Sequence, residues 1–353
     1  MRATVLHVGL HKTGTTALQN ALADHRDALA RVGLSYPRDP GGAGGHHAIA
    51  CSLSGPRPPG DVNDLFQPER EAFAIRNGAR IAGREMCSGL SPQDGRLTIL
   101  SSEIFSTFDA GETAALAAFA APVDRWVAYV RNGIDFIHAC WSTKVRWGYG
   151  RDFDAFLAAA VTGQQDGCIQ GPINYFELLS RTFGEDRLHL RHYEAALAHP
   201  RGIAGDFLEA ELGFEGLGFE AATANASPSA AFTELARAVA SEAGAGPGGS
   251  RPAGHGRFAA LARSSVGKQL VAALLPIVEQ VMRSISIADV RAGGGVIRAD
   301  GSLVVETPSL ADKLAAWRFP ILQTCSFARL EELQDRLDGA PAYGRLVEAL
   351  RSP

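Results

Sequence analysis

Lys12 stands in Gly9-Leu10-His11-Lys12-Thr13-Gly14-Thr15-Thr16, directly after the apolar run Val5–Val8. A strand that enters a short glycine-bearing loop and then a helix aims backbone N–H groups and the positive helix end at one point, which makes an anion site. The spacing of Gly9, Gly14 and Thr16 fits the nucleotide-binding loop G-x-x-x-x-G-K-[ST], except that Thr15 replaces its lysine. The only base nearby is Lys12, in mid-loop and one of just four lysines in the chain. A compact ammonium suits one bridging oxygen, where arginine would suit a bidentate grip. Glu103 and Arg131 follow the apolar runs Leu97–Ser101 and Trp126–Val130. Open α/β sheets place their ligand crevices at such carboxyl ends of strands. A carboxylate shielded from water near bound anions is expected to titrate higher than usual, as a general base requires.

The run His11-Lys12-Thr13-Gly14-Thr15-Thr16 resembles the 5′-phosphosulfate loop of PAPS-dependent sulfotransferases. PAPS is 3′-phosphoadenosine 5′-phosphosulfate. The resemblance implies PAPS as co-substrate, PAP (the desulfated product) and no metal. It gives Lys12 the phosphosulfate bridge, and His11, Thr13, Gly14, Thr15 and Thr16 the wrapping of the 5′-phosphate. Leu100-Ser101-Ser102-Glu103 is similar to the family segment whose last residue, His or Glu, takes the acceptor proton. Arg131 matches the arginine that grips the 3′-phosphate with a serine eight positions on. That position is Ala139 here, and Ser142 and Thr143 are the candidates to replace the serine. By the same resemblance His47, of the pair His46-His47, is expected on the acceptor side. A glutamate base directs the expectation towards a carbohydrate or glycolipid hydroxyl. Trp141, Trp147 and Tyr149 either line an acceptor groove or pack a helix and its exit loop. The tyrosine and glutamate of Leu188–Glu194 are expected to be structural.

The elements that must position these groups alternate. A helix is expected over Thr15–Val32, closed by Gly33, then a short strand Leu34–Tyr36 and a Gly/Pro-rich loop Pro40–Asp64. Helices are expected over Glu69–Met86, Thr113–Ala121, Ile134–Val145, Phe153–Val161, Ile173–Phe183 and Gly202–Leu212. Strands are expected over Leu97–Ser101, Arg125–Val130 and Leu188–Tyr193, with His7 facing into the sheet. Short apolar strands alternating with helices call for an α/β fold, a three-layer α/β/α sandwich around a central parallel sheet. The domain carrying the resemblance is expected over residues 1–220, a linker region over 221–256, and a mainly helical C-terminal extension over 257–353. Within that extension Phe258–Ile287 reads as a helix interrupted at Pro276, Val296–Val305 as a hairpin, and three short helices follow.

The 353 residues carry a net charge of −4, which gives no reason to expect nucleic acid or an anionic membrane as partner. Five scattered cysteines without C-x-x-C spacing argue against a zinc site or a disulfide framework. A first strand starting by residue 5 leaves no room for a signal peptide, and the longest apolar runs are too short to span a bilayer. A cytoplasmic enzyme acting on a small-molecule or glycan acceptor is therefore expected. Two other readings stay open: a small-molecule kinase using ATP, and a catalytically degenerate relative that binds a nucleotide or glycan.

Overall fold

The apolar run ahead of the loop becomes the central strand of a parallel sheet. In the computed structural model, the described residues are 3–39, 44–54, 96–131, 133–146, 153, 156, 170–217, 229–242, 258, 260–281, 283–286, 324–327 and 330–351. The expected helix Glu69–Met86 and hairpin Val296–Val305 lie outside them. Strands β1 (Ala3–Val8), β2 (Leu34–Ser35), β3 (Leu97–Ser102), β4 (Val123–Val130) and β5 (Leu188–His192) form one sheet in the order β2-β3-β1-β4-β5. Every pairing in it is parallel. Helices flank this sheet, so the fold is α/β as the alternation predicted. Strand β1 lies between β3 and β4; the chain reaches β3 by way of β2 at one edge, then crosses past β1 to β4 and goes on to β5 at the opposite edge. Val8 pairs with Ser102 and His7 with Val127. The loop after β1, Glu103 after β3 and Arg131 after β4 therefore all leave the sheet at its carboxyl end.

Helix α1 (Thr15–Asp24) turns Leu18, Ala21 and Leu22 onto the sheet, where they meet Val5, Ile99, Val127, Tyr129 and Phe207. Burying each leucine contributes roughly 1.5–3 kcal/mol. The expected single helix Thr15–Val32 is broken at His25, and α2 (Arg26–Arg31) restarts it. The break has local partners: Arg26 donates to the Tyr36 carbonyl (3.0 Å) and the Ala23 carbonyl (2.9 Å). Gly33, at φ 83°, ends α2 in the left-handed conformation glycine tolerates. Helix α3 (His47–Leu53) stands inside what the sequence presented as a loop, its first turn capped by Asp39, which accepts the Ala48 N–H at 3.1 Å. A 3-10 turn (Ile104–Thr107) follows Glu103, and α4 (Ala110–Phe119) starts three residues earlier than expected. Asp109 and Glu112 form a reciprocal capping box there.

The chain divides into two compact units: Met1–Arg131 with Asp166–Asn225 and Val305–Trp317, and Asn132–Gln165 with Ala226–Val304 and Arg318–Pro353. Helix α5 (Gly133–Arg146) belongs to the second. In the first, α6 (Gln170–Phe183) covers the other sheet face, Phe183 stacking on Trp126 with centroids 4.8 Å apart. Helix α7 (Tyr193–Leu197) follows β5. The expected helix Gly202–Leu212 is a short α8 (Gly202–Gly205) running into a π-helical segment, Asp206–Glu211. That segment is tied to the sheet by charge. Arg191 grips Asp206 through two nitrogens (2.6 and 2.7 Å) and reaches Glu211 (3.1 Å), and Tyr129 donates to Asp206 (2.8 Å).

In the second unit α9 (Ala230–Glu242), α10 (Ser265–Val281), α11 (Leu330–Asp338) and α12 (Pro341–Arg351) pack together. Ser264 accepts the Gly267 N–H (3.0 Å) and so starts α10 afresh within the helix expected from Phe258. That helix stops at Val281. Residues Arg283–Ser286 (β6) pair antiparallel with Thr324–Phe327 (β7), where further helix had been expected. Among the described residues no helix is long and apolar enough to cross a membrane.

Candidate active site

The loop after β1 owes its shape to four positions. A Cβ on Gly9 would lie 2.3 Å from Thr15 Cγ2, so only glycine lets the strand end meet the helix start. Lys12 has φ 60°, a left-handed backbone unusual for a side chain, and Gly14 has φ 75°. Thr13 is buried and donates to the Leu10 carbonyl (2.7 Å), which closes the turn. The first intrahelical bond of α1 runs from Leu18 N–H to the Gly14 carbonyl, and no side chain caps this end. The N–H groups of its first turn have no intrahelical acceptor, and they carry the positive end of the helix dipole. Thr16 is exposed in that turn, while Lys12 and His11 are partly exposed.

Arg131 reaches back to this loop. Its Nη1 donates to the Lys12 carbonyl (3.1 Å), its guanidinium lies over the Tyr193 ring (5.4 Å), and its Nε is 3.8 Å from Glu194 Oε1. That Nε is buried and has no hydrogen-bond partner among the described residues, which makes it a donor suited to an anion. Tyr193 also closes on the loop, since a Cβ on Gly14 would lie 3.0 Å from its ring. Tyr193, read from sequence as structural, thus borders both the loop and Arg131, and Glu194, read the same way, faces Arg131.

Glu103 differs from expectation. Burial pushes its carboxyl up, but His47 and hydrogen bonds from Thr15 and Gln19 outweigh this and leave it below its ordinary 4.5. Thr15 Oγ1 donates to Oε1 and Gln19 Nε2 to Oε2 (3.1 Å), while His47 Nε2 lies 3.5 Å from Oε2. The expected upward shift fails because α1 and α3 supply three partners that spacing along the chain does not reveal. Thr15, expected to wrap a phosphate, turns its hydroxyl to Glu103. Gln19 was missed altogether. It is buried, it also donates to Ser101 Oγ (3.2 Å), and Gly45 gives it room where a Cβ would lie 2.5 Å from its side-chain carbon. The signal was a polar residue on the apolar stripe of α1.

The two loop histidines part company. His46 is fully buried, its Nδ1 accepts the Ser101 N–H (3.0 Å), and its Nε2 lies 3.0 Å from the Pro37 carbonyl. Only a neutral ring with its proton on Nε2 satisfies both. His47 projects beside Glu103, with Nδ1 3.0 Å from Ser102 Oγ. His7 is buried in the sheet face as expected, 2.7 Å from Ser101 Oγ. Burial pushes His7 down to about 4 with Glu103 opposing, and His46 down to about 3 against its two backbone contacts. Burial likewise lowers His11 to about 3, with Glu103 opposing and Lys12 and His47 adding to the fall.

These shifts give a stability prediction. Below pH 6.5 the unfolded chain binds protons that the folded His7 and His46 refuse. Stability is therefore full above 6.5 and falls towards pH 4, by up to about 1.4 kcal/mol per pH unit for each ring. The urea midpoint is expected to be lower at pH 5 than at pH 7.5. Equal midpoints would show that the rings become charged inside the fold.

Ala139, Ser142 and Thr143 lie on α5 in the second unit. Ser142 Oγ is 3.2 Å from Thr233 Oγ1, and Thr143 donates to the Ala139 carbonyl (2.9 Å). Both hydroxyls named as substitutes for the serine thus have partners within their own unit. Trp141 is fully buried against Phe153 and His138, which is the packing alternative. Trp147 and Tyr149 lie outside the described residues. Among the described residues no group of three or more His, Cys, Asp or Glu side chains could hold a metal ion.

No protein-family model matches this chain, and neither does any curated protein. Among solved structures, a sulfotransferase from Alicyclobacillus acidocaldarius is similar to it with a TM-score of 0.42 and 16% identity, over 62% of this chain and 84% of that one. A likeness that low carries no functional argument.

Proposed function

We propose that the chain is a sulfotransferase that moves a sulfuryl group from PAPS to a hydroxyl, the acceptor being a carbohydrate or glycolipid. The observation that carries this reading is the bond from Arg131 Nη1 to the Lys12 carbonyl. It joins the residue expected at the 3′-phosphate to the loop expected at the 5′-phosphosulfate. The residues present fit such a donor: an uncapped helix start, a loop lysine, and a buried arginine Nε lacking a hydrogen bond. The donor supplies an activated sulfuryl group. Lys12 and the α1 N–H groups stabilise the charge that grows on the departing phosphate, as in phosphoryl transfer, where catalysis is mostly positioning and electrostatics. His11, Thr13, Gly14 and Thr16 shape the 5′ end, Thr15 helps hold Glu103, and Arg131 binds the 3′-phosphate. Glu103 and His47 form the proton-accepting side, and no metal is required. Five scattered cysteines without C-x-x-C spacing suit the reducing cytoplasm we assign to the protein.

One observation favours a competing reading. Glu103 ends the strand beside the loop and contacts a loop threonine, as the Mg²⁺-holding acid of a kinase would. Against it, the lysine that a kinase loop needs before Thr16 is absent. Thermal unfolding separates the two. PAP at a hundredfold excess over its Kd is expected to stabilise the protein by about 2.7 kcal/mol, and ATP–Mg²⁺ to do much less. The reverse ranking would establish the kinase reading, and no response to either would favour a non-nucleotide role.

A further inference from the structure

We infer that His47 takes the proton of the acceptor hydroxyl, with Glu103 serving as the carboxylate that stabilises the charged imidazole. This rests on the sulfuryl-transfer reading above and assigns its proton step to one atom.

Of the pair, His47 is the one a ligand can reach. Its side chain is 33% exposed against 11% for Glu103. Glu103 is already engaged, with Thr15 on Oε1 and Gln19 on Oε2. With both oxygens engaged and the side chain turned inward, little of this carboxylate is left to meet an acceptor hydroxyl. The His47 imidazole offers a ring nitrogen that can take a proton from a hydroxyl. The ring is also fixed in place. Helix α3 carries it, Asp39 caps that helix, and His46 beside it is locked to Ser101 of β3. Ser102 Oγ contacts Nδ1 at 3.0 Å and also accepts the Ile104 N–H (3.2 Å). In the tautomer that donates Nδ1–H to Ser102, the Nε2 lone pair remains for the incoming proton, 3.5 Å from the Glu103 carboxylate.

The ionisable groups acting on His47 are Glu103 after β3, His11 from the β1 loop, and His46 before it on the chain. His11 and His46 are neutral at pH 7, since burial holds both at about 3. Glu103 is the one charge among the three. In the transfer, a lone pair of the acceptor oxygen forms the new S–O bond while its proton moves to His47 Nε2. The S–O bond to the 5′-phosphate breaks, and its electron pair stays on the phosphate oxygen of PAP. The imidazolium is left paired with Glu103 and returns its proton to water as product departs.

The test uses the full chain with PAPS and a glycan panel, alongside His47→Ala and His47→Gln, with PAP affinity by calorimetry and folding by circular dichroism. Both variants are expected to lose about 10²-fold in kcat with PAP affinity within about threefold of the unmutated protein. Imidazole should restore part of the His47→Ala rate. The acid limb of the kcat–pH profile should disappear in His47→Gln. Unchanged kcat in both variants overturns the assignment, as does a loss of kcat that runs in parallel with a loss of PAP binding. If the unmutated protein neither binds PAP nor transfers sulfate, the sulfuryl-transfer reading itself fails and takes this assignment with it.

Discussion

Replacing Lys12 with alanine is expected to lower kcat/KM by at least about 10³-fold. Removing one neutral donor from a charge-stabilising site costs about 10²–10³ in rate, and a lost ammonium costs more because charge-assisted bonds are roughly twice as strong. Lys12 is the only Lys or Arg between Gly9 and Thr16, so no neighbour on the loop can take its place. Its left-handed backbone, with the carbonyl held by Arg131, fixes where the side chain starts. Both kcat and PAP affinity should fall, because the charge acts on donor and product alike. Lys12→Gly offers a control. It removes the same charge yet relieves a left-handed strain of about 1–2 kcal/mol, so it should melt no lower than the alanine variant while being equally inactive. Initial rates with calorimetry check both, and a kcat/KM within about tenfold of the unmutated protein would remove Lys12 from the chemistry.

Glu103→Gln carries the second large effect, a fall in kcat of about 10²–10⁴-fold with PAP binding nearly intact. The change keeps size and burial but deletes the negative charge beside His47. It also places an amide where Thr15 and Gln19 now donate. Gln19 can still donate to the amide oxygen, and the Thr15 hydroxyl can turn to accept from the NH₂. A stability loss smaller than the roughly 1–3 kcal/mol of an unsatisfied buried group is therefore expected. Urea unfolding measured beside the kinetics separates the two losses, because a protein kept well below its melting temperature stays folded through a change of that size. Unchanged turnover would remove the carboxylate from the mechanism.

The loop and the sheet were legible because their signals are local. Glycine spacing, an apolar run and strand-end positions lie within a few residues of one another, and a parallel sheet aligns successive strand ends at one edge. What the chain concealed is what comes from distant segments meeting. The downward shift at Glu103 depends on Thr15, Gln19 and His47, two of them more than eighty residues away in sequence. The burial of His46 depends on Ser101, fifty-five residues on. Pattern reading gave one helix over Thr15–Val32 and so missed the break at His25, beside which the Arg26 side chain reaches the Tyr36 carbonyl ten residues on. The β6–β7 ribbon joins stretches some forty residues apart, so neither announced itself as a strand. Some misses were readable all the same: Asp109-x-x-Glu112 spells a capping box, and Ser264 spells a helix start.

Three neighbouring strands, hydrogen-bonded in fixed register, end in the Gly9–Gly14 loop, Glu103 and Arg131. Adjacent strands stand about 4.8 Å apart, so the sheet works as a ruler. It sets the distance from the carboxylate, across the loop, to the arginine at about two divisions. Exchanging or lengthening the excursions between strands would change what approaches the site without moving those marks. Acceptor preference can therefore be recast in the loops while the spacing of the reacting groups stays as it is.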